Sequence, residues 1–122
     1  MSGNFVSEGD IFTLTAPTGG VTKGLPVLIA NTLVIPTETV AQTLPFRGKV
    51  TGVWDLLKVG SQAWNEGDII YWDNSAKNCT KTSTSNFRLG FAVLAVDAGA
   101  GSTTGRVRLA GIPVTAVAGV AP

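Results

Sequence analysis

The chain has 122 residues, of which 44% are apolar and only 14% charged, and its formal net charge is +1. Such a length suits one domain that buries roughly two thirds of its unfolded surface, and the near-neutral charge provides no field to drive binding to a phosphate backbone. The absence of histidine and the presence of a single cysteine, Cys79, exclude Ser-His-Asp and Cys-His nucleophilic catalysis, His-ligated zinc and an intrachain disulfide.

Val, Ile and Thr make up 35 of the residues. Branched side chains of this kind pack well on a pleated surface, and no window carries a sustained apolar stripe at helical spacing. The expected fold is therefore all-β, a small compact barrel or sandwich of short strands.

In chain order, residues 1–10 read as an N-terminal arm and 11–110 as the β-domain. Ile11 to Ala16 alternates, with Phe12, Leu14 and Ala16 on one side, and stops at Pro17. Val27 to Ala30 is a continuous apolar run, the pattern of a strand covered on both faces. Leu33 to Ile35 follows, closed by Pro36, and Thr39 to Phe46 alternates again. Val50 to Lys58 is the next predicted strand, with Gly52 at a position suited to a bulge or close packing. Ser61 to Asn65 is read as one helical turn. Ile69 to Trp72, Asn78 to Thr82, Phe87 to Val96 and Arg106 to Ala110 complete the strands, the last two joined by the loop DAGAGSTTG. Residues 111–122 read as an extended apolar tail that needs another surface to lie on. The longest apolar run, Phe91 to Val96, is too short to span a bilayer, and the N-terminus carries no secretory pattern, so a soluble, cytoplasmically made protein with no membrane partner is expected.

The tetrapeptide Glu-Gly-Asp-Ile occurs twice, at 8–11 and 66–69, each time just before a strand. Glycine supplies the positive φ of a tight turn and aspartate bonds nearby backbone N–H groups. This assigns Gly9, Asp10, Gly67 and Asp68 to turns. A catalytic or metal reading would require the carboxylates to converge, and no third ligand accompanies them. The two copies, offset by 58 residues, also leave open a weak internal duplication, although little beyond the tetrapeptide matches.

No phosphate-binding loop is present: Gly48-Lys49-Val50 lacks both the preceding glycine and the following Ser/Thr. The acids form no calcium-loop pattern. Arg106 and Arg108 share the spacing that places two charges on one strand face, which reads as a solvated face. Trp54, Trp64 and Trp72 lack a surrounding basic groove, so core or interface roles outweigh base stacking. No catalytic, cofactor or metal residue is assigned.

The order FVSEGDIFTLTAPTGGV, RGKVTGVWDLLK, NEGDIIYWDNSAKNCTKT and FRLGFAVLAVDAGAGSTTGRVRLAG resembles the small capsid cement, or decoration, proteins of tailed phages and prophages, over about residues 4 to 111. Members of that family are often mislabelled as RecA/RadA-like recombinases, a label the missing phosphate loop contradicts here. The resemblance implies a β-fold on the outer surface of the virion capsid, bound to the major capsid protein, forming a dimer or trimer and reinforcing the expanded head. Candidate contacts are the arm residues Asn4, Phe5 and Val6, the tail residues Ile112, Val114, Val117 and Val120, and exposed anchors at Phe46, Arg47, Trp54 and Trp64, types enriched at interfaces. The competing class is a small β-barrel that binds nucleic acid or a small ligand.

Overall fold

The chain's wealth of branched side chains resolves into nine short strands. The computed structural model describes residues 9–115, and among these it contains no helix. The strands are β1 (Ile11–Thr15), β2 (Val27–Ile29), β3 (Thr32–Pro36), β4 (Pro45–Lys49), β5 (Val53–Leu57), β6 (Ile69–Asp73), β7 (Asn78–Thr80), β8 (Phe87–Ala92) and β9 (Thr104–Leu109). They form a four-stranded sheet in the order β1-β4-β3-β2 and a five-stranded sheet in the order β5-β9-β8-β6-β7. All the ladders are antiparallel.

Of the two all-β architectures expected, the structure is sandwich-like and neither sheet closes into a barrel. The five-stranded sheet coils far enough for its two edges to touch once, where Lys58 bridges Cys79 and the Val59 N–H donates to the Cys79 carbonyl at 2.9 Å. One bridge is not a ladder, so both edges remain.

Two cores share β3 as a wall. Leu33 and Ile35 point into the larger core with Leu56, Trp64, Ile70, Trp72, Leu89, Val107 and Leu109. Val34, facing the other way as strand alternation requires, joins Ala16, Val21, Phe46 and Val50. A strand buried on both faces reads as an unbroken apolar run. The sequence assigned that role to Val27–Ala30, but β2 is a half-buried edge and β3 is the covered strand. Two neighbouring apolar runs look alike in sequence, and sheet order alone decides which lies inside.

Four further expectations are corrected. Thr39–Phe46 is not one strand: Val40 makes a single bridge to Val21, and the chain turns at Thr43, whose φ is +69°. Mutual bonds between the backbones of Ala16 and residues 43–44 hold that turn. Val50–Lys58 breaks at Gly52, with φ at +107°, where the chain leaves one sheet for the other. Ser61–Asn65 is not helical: Ser61 has φ +59° and Trp64 pairs with Val96 through two backbone bonds of 2.9 and 3.0 Å. Similarly, the strand begun at Phe87 ends at Ala92, short of Val96.

Trp64 occupies the centre of the larger core, with 1% of its surface exposed. Its Nε1–H donates to Gln62 Oε1 at 2.9 Å, and Gln62 Oε1 also accepts from the Lys81 N–H at 2.7 Å. Lys58 is buried with its ammonium 5.5 Å from the centre of the indole ring, a cation–π distance. It donates to the carbonyls of Val59 at 2.8 Å and Ser102 at 3.1 Å, so two of its three N–H groups are hydrogen-bonded. Loss of water still holds its pKa below the ordinary lysine value, opposed by the charge of Asp97.

The indole lies directly on the backbone of β9, where a Cβ on Gly105 would sit 2.2 Å from the Trp64 ring. Gly105→Ala is therefore expected to destabilise the fold by about 1–3 kcal/mol or more, as overpacking does. Gly101→Ala, which has open space around it, should stay within roughly 0.5 kcal/mol. Urea unfolding of both variants checks this.

Cys79 is fully buried, and burial pushes its thiol from 9.0 up to about 12. The folded state thus keeps a proton that the unfolded chain releases above pH 9.0, so stability is lost as pH rises between those two values, by up to about 1.4 kcal/mol per pH unit. The free energy of unfolding measured from pH 8 to 11 should fall more steeply for the natural chain than for Cys79→Ala. A thiol reagent should react with native Cys79 only on unfolding.

Candidate docking surfaces

Strand alternation gives the five-stranded sheet one face turned to the core and one turned outward. Along β5, Trp54 and Leu56 point inward while Val53, Asp55 and Leu57 point out. The register carries the outward face across the sheet: Val53 sits opposite Arg108, Arg108 opposite Phe91, and Phe91 opposite Ile69. Val53 is 54% exposed and Phe91 41%. Side chains opposite one another on one face are in contact range, so these four residues form a continuous row over β5, β9, β8 and β6. The long stem of Arg108 lies between apolar neighbours, as arginine stems do on mixed surfaces.

The adjacent row is held by a charge pair. Arg106 donates to both carboxylate oxygens of Asp55, at 2.9 and 3.2 Å. This two-pronged bond holds the Asp55 carboxyl below its ordinary value and raises the Arg106 guanidinium. Leu57, paired with Thr104, and Leu94 add exposed apolar surface. Arg106 and Arg108 do share one exposed strand face, but that face is mixed with apolar groups. Arg47 and Lys49 are exposed in the same alternating way on β4, opposite Thr13 and Ile11.

The residues expected to make contacts fall into three groups. Phe46 and Trp64 are core residues of this chain and not exposed anchors, because each lies on the covered side of its segment. Arg47 is exposed, its backbone N–H bonded to Glu38 at 3.2 Å. Trp54 is half-buried against the larger core and donates to the Thr51 carbonyl at 3.1 Å. Ile112 is exposed, whereas Val114 packs on the larger core and exchanges bonds with Asn31, at 2.6 Å through its N–H and 3.0 Å through its carbonyl. The beginning of the tail thus lies on its own domain. Asn4, Phe5, Val6, Val117 and Val120 lie outside the described residues. No sequence signal assigns Val53, Leu57, Ile69 or Phe91 to a contact surface; the alternation of VWDLL marks two faces without saying which is covered.

Gly67 lies in a tight turn leading into β6, and the described residues of the first copy, from Gly9 on, bend into β1. Gly9 and Gly67 have φ of +86° and +88°, conformations that favour glycine. The Asp68 carboxylate accepts the Asn65 N–H at 2.6 Å and pairs with Lys81 at 3.3 Å. The Asp10 carboxylate accepts the Thr51 hydroxyl at 3.3 Å. The two turns feed different sheets, and no group of three or more metal-binding side chains occurs among the described residues. Comparison with family models matches residues 6–109 to the phage cement protein family.

The chain belongs to the phage cement protein family. Comparison with curated proteins and with solved structures returns no match. Cement proteins are structural components of the capsid.

The Asn65 N–H, with help from Lys81, holds the Asp68 carboxyl below its usual pKa of 3.8. Its contribution to stability is present above that value and is lost as pH falls through the lowered folded-state pKa. Urea unfolding followed from pH 6 to 2 should show a shallower acid loss in Asp68→Asn than in the natural chain.

Proposed function

We propose that this cement protein binds the outside of the major capsid protein lattice as a symmetric oligomer and stabilises the expanded head. Binding the assembled shell but not separated subunits shifts the equilibrium against disassembly by mass action. Repetition over a symmetric shell multiplies a modest contact into a large total. The observation that carries the reading is the uncovered row Val53–Arg108–Phe91–Ile69, in a family of capsid proteins. An aromatic and an arginine set among aliphatic residues is the composition of an interface centre. Arg47 and Ile112 are exposed and supply contacts at other edges.

Cosedimentation with empty expanded heads tests this. Phe91→Asp is expected to weaken shell binding at least about tenfold, the effect of losing a central aromatic contact, with the unfolding midpoint little changed because Phe91 faces outward. Deleting residues 116–122 measures the share of the tail beyond Val114. A natural chain that ignores expanded heads would overturn the reading. So would tight binding of single-stranded DNA with a steep loss on adding salt, the signature of phosphate contacts.

A further inference from the structure

The edges of the two sheets are not protected alike. In the five-stranded sheet the edges are β5 and β7, which touch each other through the Lys58–Cys79 bridge. In the four-stranded sheet, β2 has only three residues and follows Pro26. A very short strand and a neighbouring proline are devices by which natural edges avoid pairing. β1, the opposite edge, has none of them. Its five residues, Ile11–Thr15, contain no charge and no proline, and their register with β4 has no bulge. Among the described residues, nothing pairs with its outer side.

The register shows which backbone groups of β1 are open. The Asp10 carbonyl accepts the Val50 N–H at 3.2 Å, and the Ala16 N–H donates to the Leu44 carbonyl at 2.9 Å. Bonded and non-bonded pairs alternate along an antiparallel ladder. Phe12 and Leu14 therefore bond to β4, and the N–H and C=O groups of Ile11, Thr13 and Thr15 point away from it. Side chains alternate between the faces. Phe12 and Leu14 lie on the inner face, at an open apolar trough of about 360 Å³, while Thr13 and Thr15 face solvent. Phe12 is 44% exposed although it stands on the face turned to the core.

We propose that β1 pairs antiparallel with β1 of a second copy, about a two-fold axis through Thr13, and joins the two four-stranded sheets into one. The segment complements itself. In the register that uses all three open residues, Ile11 bonds to Thr15 of the second copy, Thr13 bonds to its own counterpart, and Phe12 meets Leu14. Thr–Thr and aromatic–aliphatic pairs are favourable across antiparallel strands. A shift by two residues gives up one bonded pair, and a shift by one turns Phe12 to the solvent face. The two Phe12 rings come within diagonal reach on the inner face, which covers apolar surface that the single chain leaves open. No charge is brought to the axis. Arg47, opposite Thr13, stands three strand spacings from its counterpart, about 14 Å, beyond the screening length of about 8–10 Å. This contact rests on the symmetric oligomer of the proposed function and gives it an interface, but it does not depend on the shell.

Sedimentation and cross-linking of the full chain test it. The natural chain should sediment as a dimer or a larger even-numbered oligomer, because a two-fold contact pairs copies two by two. Thr13→Cys should form an intermolecular disulfide under mild oxidation, since the facing Cα atoms of a bonded pair are about 5.5 Å apart. The natural chain, whose Cys79 is buried, should not cross-link, nor should Val53→Cys on the other sheet. Thr13→Asp sets like charges against each other at the axis and should raise the dimer dissociation constant at least about tenfold. Its circular dichroism should stay unchanged, because Thr13 is exposed. A monomer or a trimer overturns the proposal. So does a cross-link at Val53→Cys with none at Thr13→Cys, which moves the contact to the other sheet and leaves the oligomer standing. Cosedimentation of the natural chain with heads is read separately, so loss of this contact is not mistaken for failure to bind the shell.

Discussion

The structure depends on one strand that cannot face water on either side. β3 sends Leu33 and Ile35 into one core and Val34 into the other, so it is at once the centre of the four-stranded sheet and the lid of the five-stranded one. Burial of apolar area is the dominant favourable term in a domain this small, and here both portions of it meet on a five-residue segment. The division between the sheets follows: β1, β2 and β4 build the first sheet with β3, and the chain then crosses at Gly52 to build the second sheet on its far side.

Within that second sheet, Trp64 is the piece around which the strands coil. A large flat ring set against a glycine backbone brings β9 closer than any side chain would allow, and the buried Lys58 ammonium sits over the ring while donating to two loop carbonyls. The arrangement joins packing and polarity in a small space: an indole N–H bonded to Gln62, a glutamine that also bonds β7 and the loop after it, and a cation held without a neighbouring carboxylate in hydrogen-bond contact. These are groups that define a shape. Their protons are engaged in holding the fold together, which is consistent with membership of a structural family.

Much of this was legible in the residues. The positions of β1, β3, β6, β7 and β9 follow from alternation and from the punctuation of Gly, Pro and Asn, and the resemblance to capsid cement proteins agrees with the family match. Where the reading failed, the physical reason is common to the failures. Thr39–Phe46 and Ser61–Asn65 have the right local pattern for a strand and a helical turn, but long-range backbone bonds, from Ala16 and from Val96, hold them in other conformations. Phe46 and Trp64 are of types that suit an exposed anchor and a core equally well, and only the fold places them inside. The outward row of Val53, Phe91 and Ile69 exists only once three strand registers are fixed, and no segment of sequence contains it.

The sequence by itself determined the fold class, through its β-branched content and short punctuated segments. It also determined the chemistry that is impossible without histidine, and the local form of the turns, because glycine before aspartate has few conformations open to it. Tertiary structure decided which side of each strand is covered, which apolar run is enclosed, and which aromatic side chains meet water. The reason is that alternation with a period of two distinguishes two faces without naming them. Only the order of strands in the sheets, set by contacts between residues far apart in the chain, assigns one face to the core and turns the other outward.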